Sequence, residues 1–403
     1  MRLSPRDTLA ARHAKLRDAL RAAQLDGLVV THLPNVLYLT NFLGTAGIAV
    51  FMGDRLYLIL DFRYTAAAKE IWDSPSGCPE AEIVPVERTY DETLAAMIKK
   101  LQPRRLGIEG ASLSLQRAHQ LARSVGARLE VEKDPGSFSE QEAPDPISLV
   151  STDGVIERLR MIKDAHEIEM LRSGGTLLSA VALDVLEDVK AGLSEQELAA
   201  KIDWRIKSAG FERCSFETIV ASGPNSALPH AHPGGRLLRE GDLVVLDFGG
   251  VYGGYCVDLT RTVSLGRPDA EMQRVHGAVL EAQKAAIAVV RPGIRAGDID
   301  AAARGALGQH KLAEAFGHST GHGLGVEIHE TPRIGPRREA TGDAPAPPDE
   351  AIEPGMVFTI EPGAYLPGWG GVRIEDDVLV TSDGVEVLTN VPTQLQTHGF
   401  RRD

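Results

Sequence analysis

Apolar residues in the first 145 positions recur with two periodicities, one typical of helices and one typical of strands. The helical periodicity predicts a first helix at about residues 6–24, and the apolar run that follows it, DGLVVTH, is typical of a strand. Further helical segments lie near 64–73, 90–102 and 113–125, and further strand segments are GIAVFMGDRLYLILD, AEIVPV, RLGIEG and RLEVEK. Strands interleaved with helices predict a mixed or parallel sheet covered by helices, which is an α/β domain.

The segment KDPGSFSEQEAPDPISLVSTDG is rich in proline, serine, glycine and acidic residues, a composition typical of linkers. It predicts a first domain over 1–150 and a second over 151–403. In the second domain we expect a long helix from about 153 to 190, broken near 172–175, and helices over 194–210, 268–290 and 297–310. Strand pairs among these helices predict an α+β layout. The proline-rich, charged stretch 333–355 predicts a surface loop.

Two strand-like runs, DLVVLDFGG and YCVDLTRTV, flank the turn-like segment VYGGY, and each contains an aspartate. A near-symmetric hairpin centred between Tyr252 and Gly253 would place Asp247 directly opposite Asp258, with Cβ atoms about 4.5–5.5 Å apart. A second pair of runs, MVFTIEPG and GGVRIEDDVLV, carries Glu361 and Glu375 in the same way. Like charges this close destabilise a sheet unless a cation binds between them, so both hairpins indicate a metal site.

An imidazole joins these four carboxylates, because the segment GHSTGHGLG contains His322. Carboxylates can bridge two cations, and this donor set suits manganese, cobalt, zinc or iron. Each residue taken singly is more commonly structural, but several unpaired carboxylates are costly to bury in apolar strands. The sequence therefore predicts a site for two divalent metal ions, held by Asp247, Asp258, His322, Glu361 and Glu375.

Composition narrows the class of protein. The 403 residues are 43% hydrophobic and 25% charged, as in globular proteins with a large core. A net charge of −13 argues against nucleic acid or an anionic membrane as the main partner. The three cysteines show no paired spacing, no apolar run is long enough to span a membrane, and the N-terminus does not resemble a signal peptide. These features predict a cytoplasmic enzyme.

The ordered motifs resemble the pita-bread metallopeptidases, and specifically their Xaa-Pro branch of prolidases and aminopeptidase P. The matching segments extend over nearly the whole chain and are YLTNFLGTAG, LDFRY, SFETIVASGPNSALPHAHP, EGDLVVLDFGG, YCVDLTRTV, GHSTGHGLGVEIHE, PGMVFTIEPGAY and GGVRIEDDVLVT. The resemblance implies an α/β creatinase-like domain over 1–150 and an α+β pita-bread catalytic domain over 151–403. Methionine aminopeptidases lack such an N-terminal domain and fit less well.

The resemblance also implies a role for each metal ligand. Asp247 would chelate one ion, while Asp258 and Glu375 would bridge both ions. His322 and Glu361 would complete the coordination of the second ion. Glu361 would also act as general base on a metal-bridging water or hydroxide. Manganese is the expected metal, with cobalt or zinc as alternatives, and the resemblance implies a homodimer.

Two histidines and two arginines match residues that surround the metals in this family. His230 and His329 would contact the substrate and act in catalysis, His230 by stabilising the tetrahedral intermediate. Arg373 would lie in the outer shell of the site and help to bind substrate. Arg333 matches an arginine that binds the terminal carboxylate of a dipeptide in some microbial prolidases, and a guanidinium is suited to that task. This match favours a dipeptidase that cleaves the Xaa-Pro bond.

Three alternatives remain open at this point. An aminopeptidase P would remove the first residue of longer peptides that begin Xaa-Pro. A creatinase-like hydrolase would act on a small molecule without metals, and a binding module would retain the fold without catalysis. Relatives of the last two kinds have lost the metal ligands, whereas this chain keeps all five, together with His230 and His329.

Overall fold

A computed structural model describes residues 2–130, 147–340, 346 and 349–398. The chain divides into two compact units, one formed by Leu3–Arg160 and the other by the residues from Met161 onward. The division therefore follows residue 160, whereas the linker composition predicts a boundary at residue 150.

The first unit contains a mixed sheet with strand order β4-β3-β2-β1-β5-β7-β6. Its strands are β1 (Gly27–Val30), β2 (Ile48–Met52), β3 (Arg55–Leu60), β4 (Ala81–Pro85), β5 (Arg105–Glu109), β6 (Arg128–Glu130) and β7 (Ser148–Thr152). Strand β2 runs antiparallel to both of its neighbours, whereas the remaining pairs are parallel. The mixed sheet predicted from the alternating pattern is confirmed.

Helices cover both faces of this sheet. They are α1 (Arg6–Ala22), α2 (Leu33–Thr40), α3 (Phe62–Trp72), α4 (Tyr90–Leu101) and α5 (Leu115–Val125). Alternate residues of β1 enter two separate apolar clusters, Leu28 and Val30 on one face and Val29 on the other. A strand buried on both faces needs apolar residues at every position, which explains the uninterrupted run GLVV.

The predicted linker contributes a strand to this sheet. Most of it, residues 133–146, lies outside the described residues, but its later part forms β7 between β5 and β6. Leu149 in β7 is fully buried. The polar and proline-rich composition of the segment therefore concealed an element of the core.

In the second unit, helices pack against a sheet in which all described pairs of strands are antiparallel except that between Tyr255–Leu265 and Thr397–His398. After α6 (Val155–Met161), the helices are α7 (Ala165–Asp188), α8 (Glu195–Ala209), α9 (Ala270–Val289) and α10 (Ala296–Gln309). The strands are β8 (Arg213–Cys214), β9 (Ile219–Ser222), β10 (Leu243–Tyr252), β11 (Tyr255–Leu265), β12 (Gly321–Gly323), β13 (Glu330–Ile334), β14 (Val357–Ile360), β15 (Gly363–Leu366), β16 (Gly370–Arg373), β17 (Glu375–Val380), β18 (Val385–Val387) and β19 (Thr397–His398).

The order of strands in this sheet is β13-β12-β14-β17-β11-β10, and both β8 and β9 pair with β10. Strands β15 and β16 form a separate two-stranded ribbon. Helices α9 and α10 bury their apolar residues against β14 and β17 in one cluster that includes Phe358 and Val378. The α+β layout predicted for this half is therefore confirmed.

The predicted break within the long helix is in the wrong place. The interruption lies between α6 and α7, not near residues 172–175. Asp164 and Glu167 form a capping box that starts α7, because each carboxylate accepts a hydrogen bond of 3.0 Å from the backbone N–H of the other residue.

The glycine pair that suggested the break serves close packing instead. A Cβ atom at Gly175 would lie 2.5 Å from the carbonyl oxygen of Leu388, and one at Gly174 would lie 3.0 Å from Val257 Cγ1. Glycine permits this approach inside α7 at a cost of about 1 kcal/mol in helix propensity. The sequence alone does not reveal these distant neighbours.

The turn of the first hairpin lies one position from where the symmetric reading placed it. The predicted centre was between Tyr252 and Gly253, but Tyr252 pairs with Tyr255, so the centre lies between Gly253 and Gly254. Both glycines have positive φ, 60° and 86°. Two-residue hairpin turns favour this conformation because it matches the twist of the strands.

The shifted turn changes which residues face each other. Asp247 pairs with Thr260 and Asp258 pairs with Gly249, so the predicted direct opposition of the two aspartates is wrong. They are diagonal neighbours, and such neighbours lie about 7–8 Å apart at Cα on the same face of a sheet. The two carboxylates consequently leave room for a ligand between them.

The second hairpin bends where its glutamates lie. The β14–β17 and β15–β16 pairings share one register, and continuing it across the bend brings Glu361 opposite Glu375.

The stretch 333–355 is less loop-like than predicted, since Ile334 belongs to β13 and both Ile334 and Ile352 are fully buried. Residues 341–345, 347 and 348 lie outside the described residues. Among the described residues, the helices are too short or too polar to cross a membrane.

We expect Gly254→Ala to destabilise the second unit by about 1–2 kcal/mol, because an L-residue at this φ brings its Cβ close to the following carbonyl oxygen. Gly277→Ala is the matched control. Gly277 lies inside α9 and a Cβ there would meet nothing within 4 Å, so alanine should stabilise the helix by about 0.5–1 kcal/mol. Urea denaturation of both variants measures the difference, and equal stabilities would contradict this account of the turn.

Candidate metal centre

Five neighbouring strands bring the predicted ligands together. His322 lies on β12, Glu361 directly follows β14, Glu375 begins β17, Asp258 lies on β11 and Asp247 lies on β10. These strands are consecutive in the sheet. All five side chains line the same cavity.

The imidazole faces the carboxylates through one nitrogen. His322 Nε2 lies 3.6 Å from Glu361 Oε1 and 3.9 Å from Asp258 Oδ2. Nδ1 lies 3.0 Å from the carbonyl oxygen of Gly323, a partner that requires a proton on Nδ1. Nε2 thus keeps its lone pair free for a metal. Ligand atoms of Asp258, His322 and Glu375 all lie within 4.8 Å of one another.

Neighbouring groups fix the orientation of the acids. Thr260 Oγ1 donates a hydrogen bond of 2.5 Å to Glu375 Oε2. The backbone N–H of Asp258 donates a hydrogen bond of 2.9 Å to Asp377 Oδ2. Thr359 Oγ1 lies 3.3 Å from Glu361 Oε1. Partners of this kind hold metal ligands in a productive geometry.

Arg373 is a buried hub beside the acids. Its guanidinium forms an ion pair with Asp247 and also donates hydrogen bonds to the hydroxyl groups of Tyr365, at 2.8 Å, and Thr260, at 3.2 Å. The Arg373 guanidinium thus contacts one of the predicted metal ligands, Asp247, and does not itself occupy a ligand position.

Burial and mutual repulsion dominate the electrostatics of the centre. Burial raises the pKa values of Asp258 and Glu375 well above their usual range, and the negative charges around them act in the same direction. Burial also raises the pKa of Glu361 to about 8, with Asp247 adding to the effect. Burial lowers the pKa of His322 to about 4, so its imidazole is neutral near pH 7.

This donor set fits divalent cations. Four carboxyl groups and a neutral imidazole nitrogen line one cavity, and a cation would favour the ionised, acceptor-only form of the acids and convert their repulsion into coordination. A carboxylate has two oxygen atoms and can therefore also bridge two ions.

The centre opens into a cavity of about 580 Å³. The other predicted site residues, His230, His329, Arg333 and Arg373, all line it. The rings of His322 and His329 meet edge to face, with centroids 4.4 Å apart. Burial lowers the pKa of His329, and the nearby charge of His230 acts in the same direction. The structure thus gathers all predicted site residues around one cavity.

Arg333 and two apolar residues of the cavity, Phe216 and Ile219, lie toward opposite ends of the strand order. Arg333 is on the edge strand β13, paired with His322. Phe216 and Ile219 lie at the other end, where Ile219 pairs with Asp247. A substrate in the cavity would therefore have a cationic group toward one end and apolar side chains toward the other.

Sequence reasoning missed two residues that support or line the cavity, Tyr365 and Glu330. The hydroxyl of Tyr365 contacts Arg373 and, at 2.9 Å, His318 Nε2, and both of these partners line the cavity. Glu330 lines the wall and forms an ion pair of 3.1 Å with the fully buried Lys163. Glu330 lies directly after His329, and this adjacency was the only available signal.

Comparisons with known proteins agree with this geometry. Residues 169–382 match the model of Metallopeptidase family M24, and residues 12–162 match that of the Creatinase/Prolidase N-terminal domain. The uncharacterized peptidase YqhT of Bacillus subtilis is 35% identical over 382 residues, which are 94% of this chain and 98% of YqhT.

Solved structures extend the similarity to the fold. An Xaa-Pro dipeptidase from Bacillus anthracis aligns with a TM-score of 0.85 and 34% identity, over 97% of this chain and 100% of that one. An X-Pro aminopeptidase from Thermotoga maritima aligns with a TM-score of 0.80 and 30% identity, over 94% of this chain and 100% of that one. A creatinase-like N-terminal domain followed by a pita-bread catalytic domain is therefore confirmed.

The raised pKa of Glu361 makes the stability of the metal-free protein depend on pH. The carboxyl group has a pKa of about 8 in the folded protein and of 4.5 in the unfolded chain. Its contribution to the free energy of unfolding is therefore fully present below pH 4.5. That contribution is lost as the pH rises toward 8, because the unfolded chain releases the proton first. We therefore expect the melting temperature of chelator-treated wild type, relative to that of Glu361→Gln, to fall between pH 5 and pH 8.

Differential scanning fluorimetry of both proteins across this range measures the difference. Glutamine keeps the volume of the side chain but does not titrate, so it is the matched reference. A difference in melting temperature that stays constant or increases with pH would show that Glu361 ionises normally.

Proposed function

This chain belongs to metallopeptidase family M24 and is a peptidase, and we propose that it hydrolyses the Xaa-Pro bond of dipeptides with two divalent metal ions. The observation that carries the proposal is the convergence of five ligand side chains on a cavity that also contains two histidines and an arginine. Manganese is the proposed metal, as the family resemblance implies.

The bond to be cleaved explains why such a site is needed. An Xaa-Pro bond is a tertiary amide, so it offers no N–H for a protease to align. Bound divalent ions would lower the pKa of a water molecule and polarise the scissile carbonyl. In this proposal Asp247, Asp258, His322, Glu361 and Glu375 hold the ions.

Glu361 is the proposed general base. Its carboxylate lies beside His322 and beneath the cavity, where it can accept the proton of the attacking water. Burial raises the pKa of Glu361 in the metal-free site, and a bound cation would lower it again and keep the group a carboxylate that can accept a proton.

His230 and His329 are the proposed partners of the reacting atoms. Both line the cavity together with the acids. An imidazole N–H there can donate a hydrogen bond to the oxygen that becomes negative in the transition state, or transfer a proton to the departing prolyl nitrogen. Arg373 would keep Asp247 in place through their buried ion pair.

Arg333 is the reason to favour dipeptides. Its side chain is exposed in the cavity and donates to the carbonyl oxygen of Pro336 at 3.3 Å, so its guanidinium remains accessible to a ligand. A dipeptide presents a carboxylate directly after the proline, whereas a longer peptide continues as an amide. A bidentate pair with a carboxylate would therefore select the shorter substrate.

Removal of residues from longer Xaa-Pro peptides is the second candidate function. The similarity to the X-Pro aminopeptidase of Thermotoga maritima favours it, and the open cavity has room for a longer chain. Assembly as a homodimer remains a prediction of the resemblance.

The first test compares hydrolysis of Ala-Pro, Met-Pro and Ala-Pro-Ala with manganese and with chelator. We expect chelator-sensitive release from the dipeptides. Arg333→Met should raise KM for dipeptides about 10- to 100-fold, because a hydrogen-bonded ion pair contributes about 1.5–3 kcal/mol. Arg337→Met is the matched control, since Arg337 pairs with Asp298 and Asp349. Equal or faster cleavage of Ala-Pro-Ala would favour the aminopeptidase.

The second test removes a bridging ligand while preserving its shape. Asp258→Asn and Glu375→Gln should each lower kcat by more than about 100-fold and reduce the bound metal, since even indirect supports of a ligand contribute about 10- to 100-fold. Asp383→Asn changes an exposed acid of the same unit and should have no effect. Metal analysis of the purified proteins and steady-state kinetics measure both quantities. Wild-type turnover in either ligand variant would contradict a two-metal centre.

A further inference from the structure

The proposed catalytic histidine His230 is carried by a loop over residues 222–236. The loop leaves β9, passes through a short 3₁₀ helix (Gly223–Ala227) and returns before β10. His230 itself is exposed. Its position over the metal centre therefore depends on what holds the two ends of the loop.

Glu195 connects both ends of this loop. It is the first residue of α8 and is 1% exposed. Its Oε1 accepts hydrogen bonds from the backbone N–H and the hydroxyl of Ser222, at 2.8 and 2.7 Å, and from Asn225 Nδ2 at 3.0 Å. Its Oε2 lies 3.2 Å from the same Asn225 nitrogen and accepts from the backbone N–H of Gly234 at 3.3 Å.

The backbone of α8 reinforces this connection. The N–H of Glu195 donates to the carbonyl oxygen of Arg236 at 3.0 Å, and the N–H of Gln196 donates to that of Gly234 at 3.1 Å. The first turn of a helix leaves such donors free, and here they hold the returning end of the loop.

An arginine closes the base of the loop from the other side. Arg236 donates to both carboxylate oxygens of Asp242, at 2.7 and 2.9 Å, and to the hydroxyl of Ser222 at 2.6 Å. Ser222 is thus held between Glu195 and Arg236. This arrangement fixes the separation of the two ends.

The middle of the loop is tied to the metal centre. Ser226 Oγ accepts a hydrogen bond of 2.8 Å from the backbone N–H of Gly371, and Arg373 Nη1 donates to the carbonyl oxygen of Pro229 at 3.2 Å. A Cβ atom at Gly371 would lie 2.2 Å from the carbonyl oxygen of Ser226. His230 follows Pro229 directly, so it extends from a segment held at its base and along one side.

We propose that Glu195 is the residue that positions His230 for catalysis. Glu195 is not among the residues that line the cavity, so it acts through the loop and not on the substrate. The inference rests on the proposed function, because it assigns to His230 a role at the reacting atoms.

A carboxylate is required at this position because all of its partners are donors. The N–H groups of Ser222 and Gly234 and the amide nitrogen of Asn225 need acceptors, and a carboxylate offers acceptors only. Glutamine has the same size, but its amide group would turn a donor toward other donors. A buried donor left without an acceptor is costly, so the loop should move to relieve the conflict.

Displacement of a catalytic group by about 1 Å can lower the rate about 100-fold. We therefore expect Glu195→Gln to lower kcat about 10- to 100-fold for Ala-Pro or Met-Pro, with bound metal unchanged. Glu197→Gln is the matched control. Glu197 lies on the same turn of α8 but is exposed, and its carboxylate caps Ser194 at the helix start. A glutamine oxygen can still accept that hydrogen bond.

A double-mutant cycle with His230→Ala separates positioning from general destabilisation. If Glu195 acts through His230, Glu195→Gln should lower kcat in the wild-type background and cause no further loss in the His230→Ala background. A role confined to stability would lower kcat by the same factor in both backgrounds. That outcome, or wild-type kcat in Glu195→Gln, would overturn the proposal.

A milder variant covers the case in which Glu195→Gln does not fold. Asn225→Ala removes one donor and leaves the carboxylate in place, so we expect a smaller loss of kcat with the same absence of effect in the His230→Ala background. Equal losses in both backgrounds would again reject positioning.

Amide hydrogen exchange over residues 222–236 tests the structural part without relying on activity. It should be faster in Glu195→Gln than in Glu197→Gln, and equal rates would contradict the role of Glu195 in holding the loop. If the wild-type protein cleaves no Xaa-Pro peptide, the proposed function fails, and the exchange rates still decide whether Glu195 holds the loop.

Discussion

The second unit is organised around the burial of four carboxylates in one place. Asp247, Asp258, Glu361 and Glu375 would repel each other, and burial disfavours the charged forms of Asp258, Glu361 and Glu375. The structure offsets this cost in part, through the Arg373 guanidinium and through donors such as the Thr260 hydroxyl. The remaining imbalance is what a divalent cation would neutralise, so the same arrangement that strains the protein gives it metal affinity.

Local patterns in the sequence predicted most elements of both units, but not β7, the short strand β12 or the break between α6 and α7. Runs rich in β-branched residues indicated the strands near the four carboxylates, and the combination of carboxylates with an imidazole indicated metal chemistry. The register of the first hairpin was missed because VYGGY allows two symmetric centres, and only the pairing of Tyr252 with Tyr255 distinguishes them. A shift of the centre by one position changed direct opposition of the aspartates into diagonal proximity.

Other features depend on partners far away in the chain. Gly174 and Gly175 suggested a helix break, yet their role is to admit Val257 and Leu388. Glu195 resembled any acidic residue in the first turn of a helix, since its partners in the loop lie 27 to 39 positions away. Residues that support a site are hard to recognise from sequence because their function depends on tertiary contacts and their residue types are common.

The strand order also governs when the site can exist during folding. Each hairpin is local, but the pairing of β11 with β17 joins residues separated by 115 positions, as in the contact of Thr260 with Glu375. Such distant contacts form late, because chain entropy opposes them until other structure brings the ends together. Until then, each hairpin holds only half of the acids. Metal binding should consequently report completion of the fold, and an emerging chain should acquire its full affinity only after residue 375 has been synthesised.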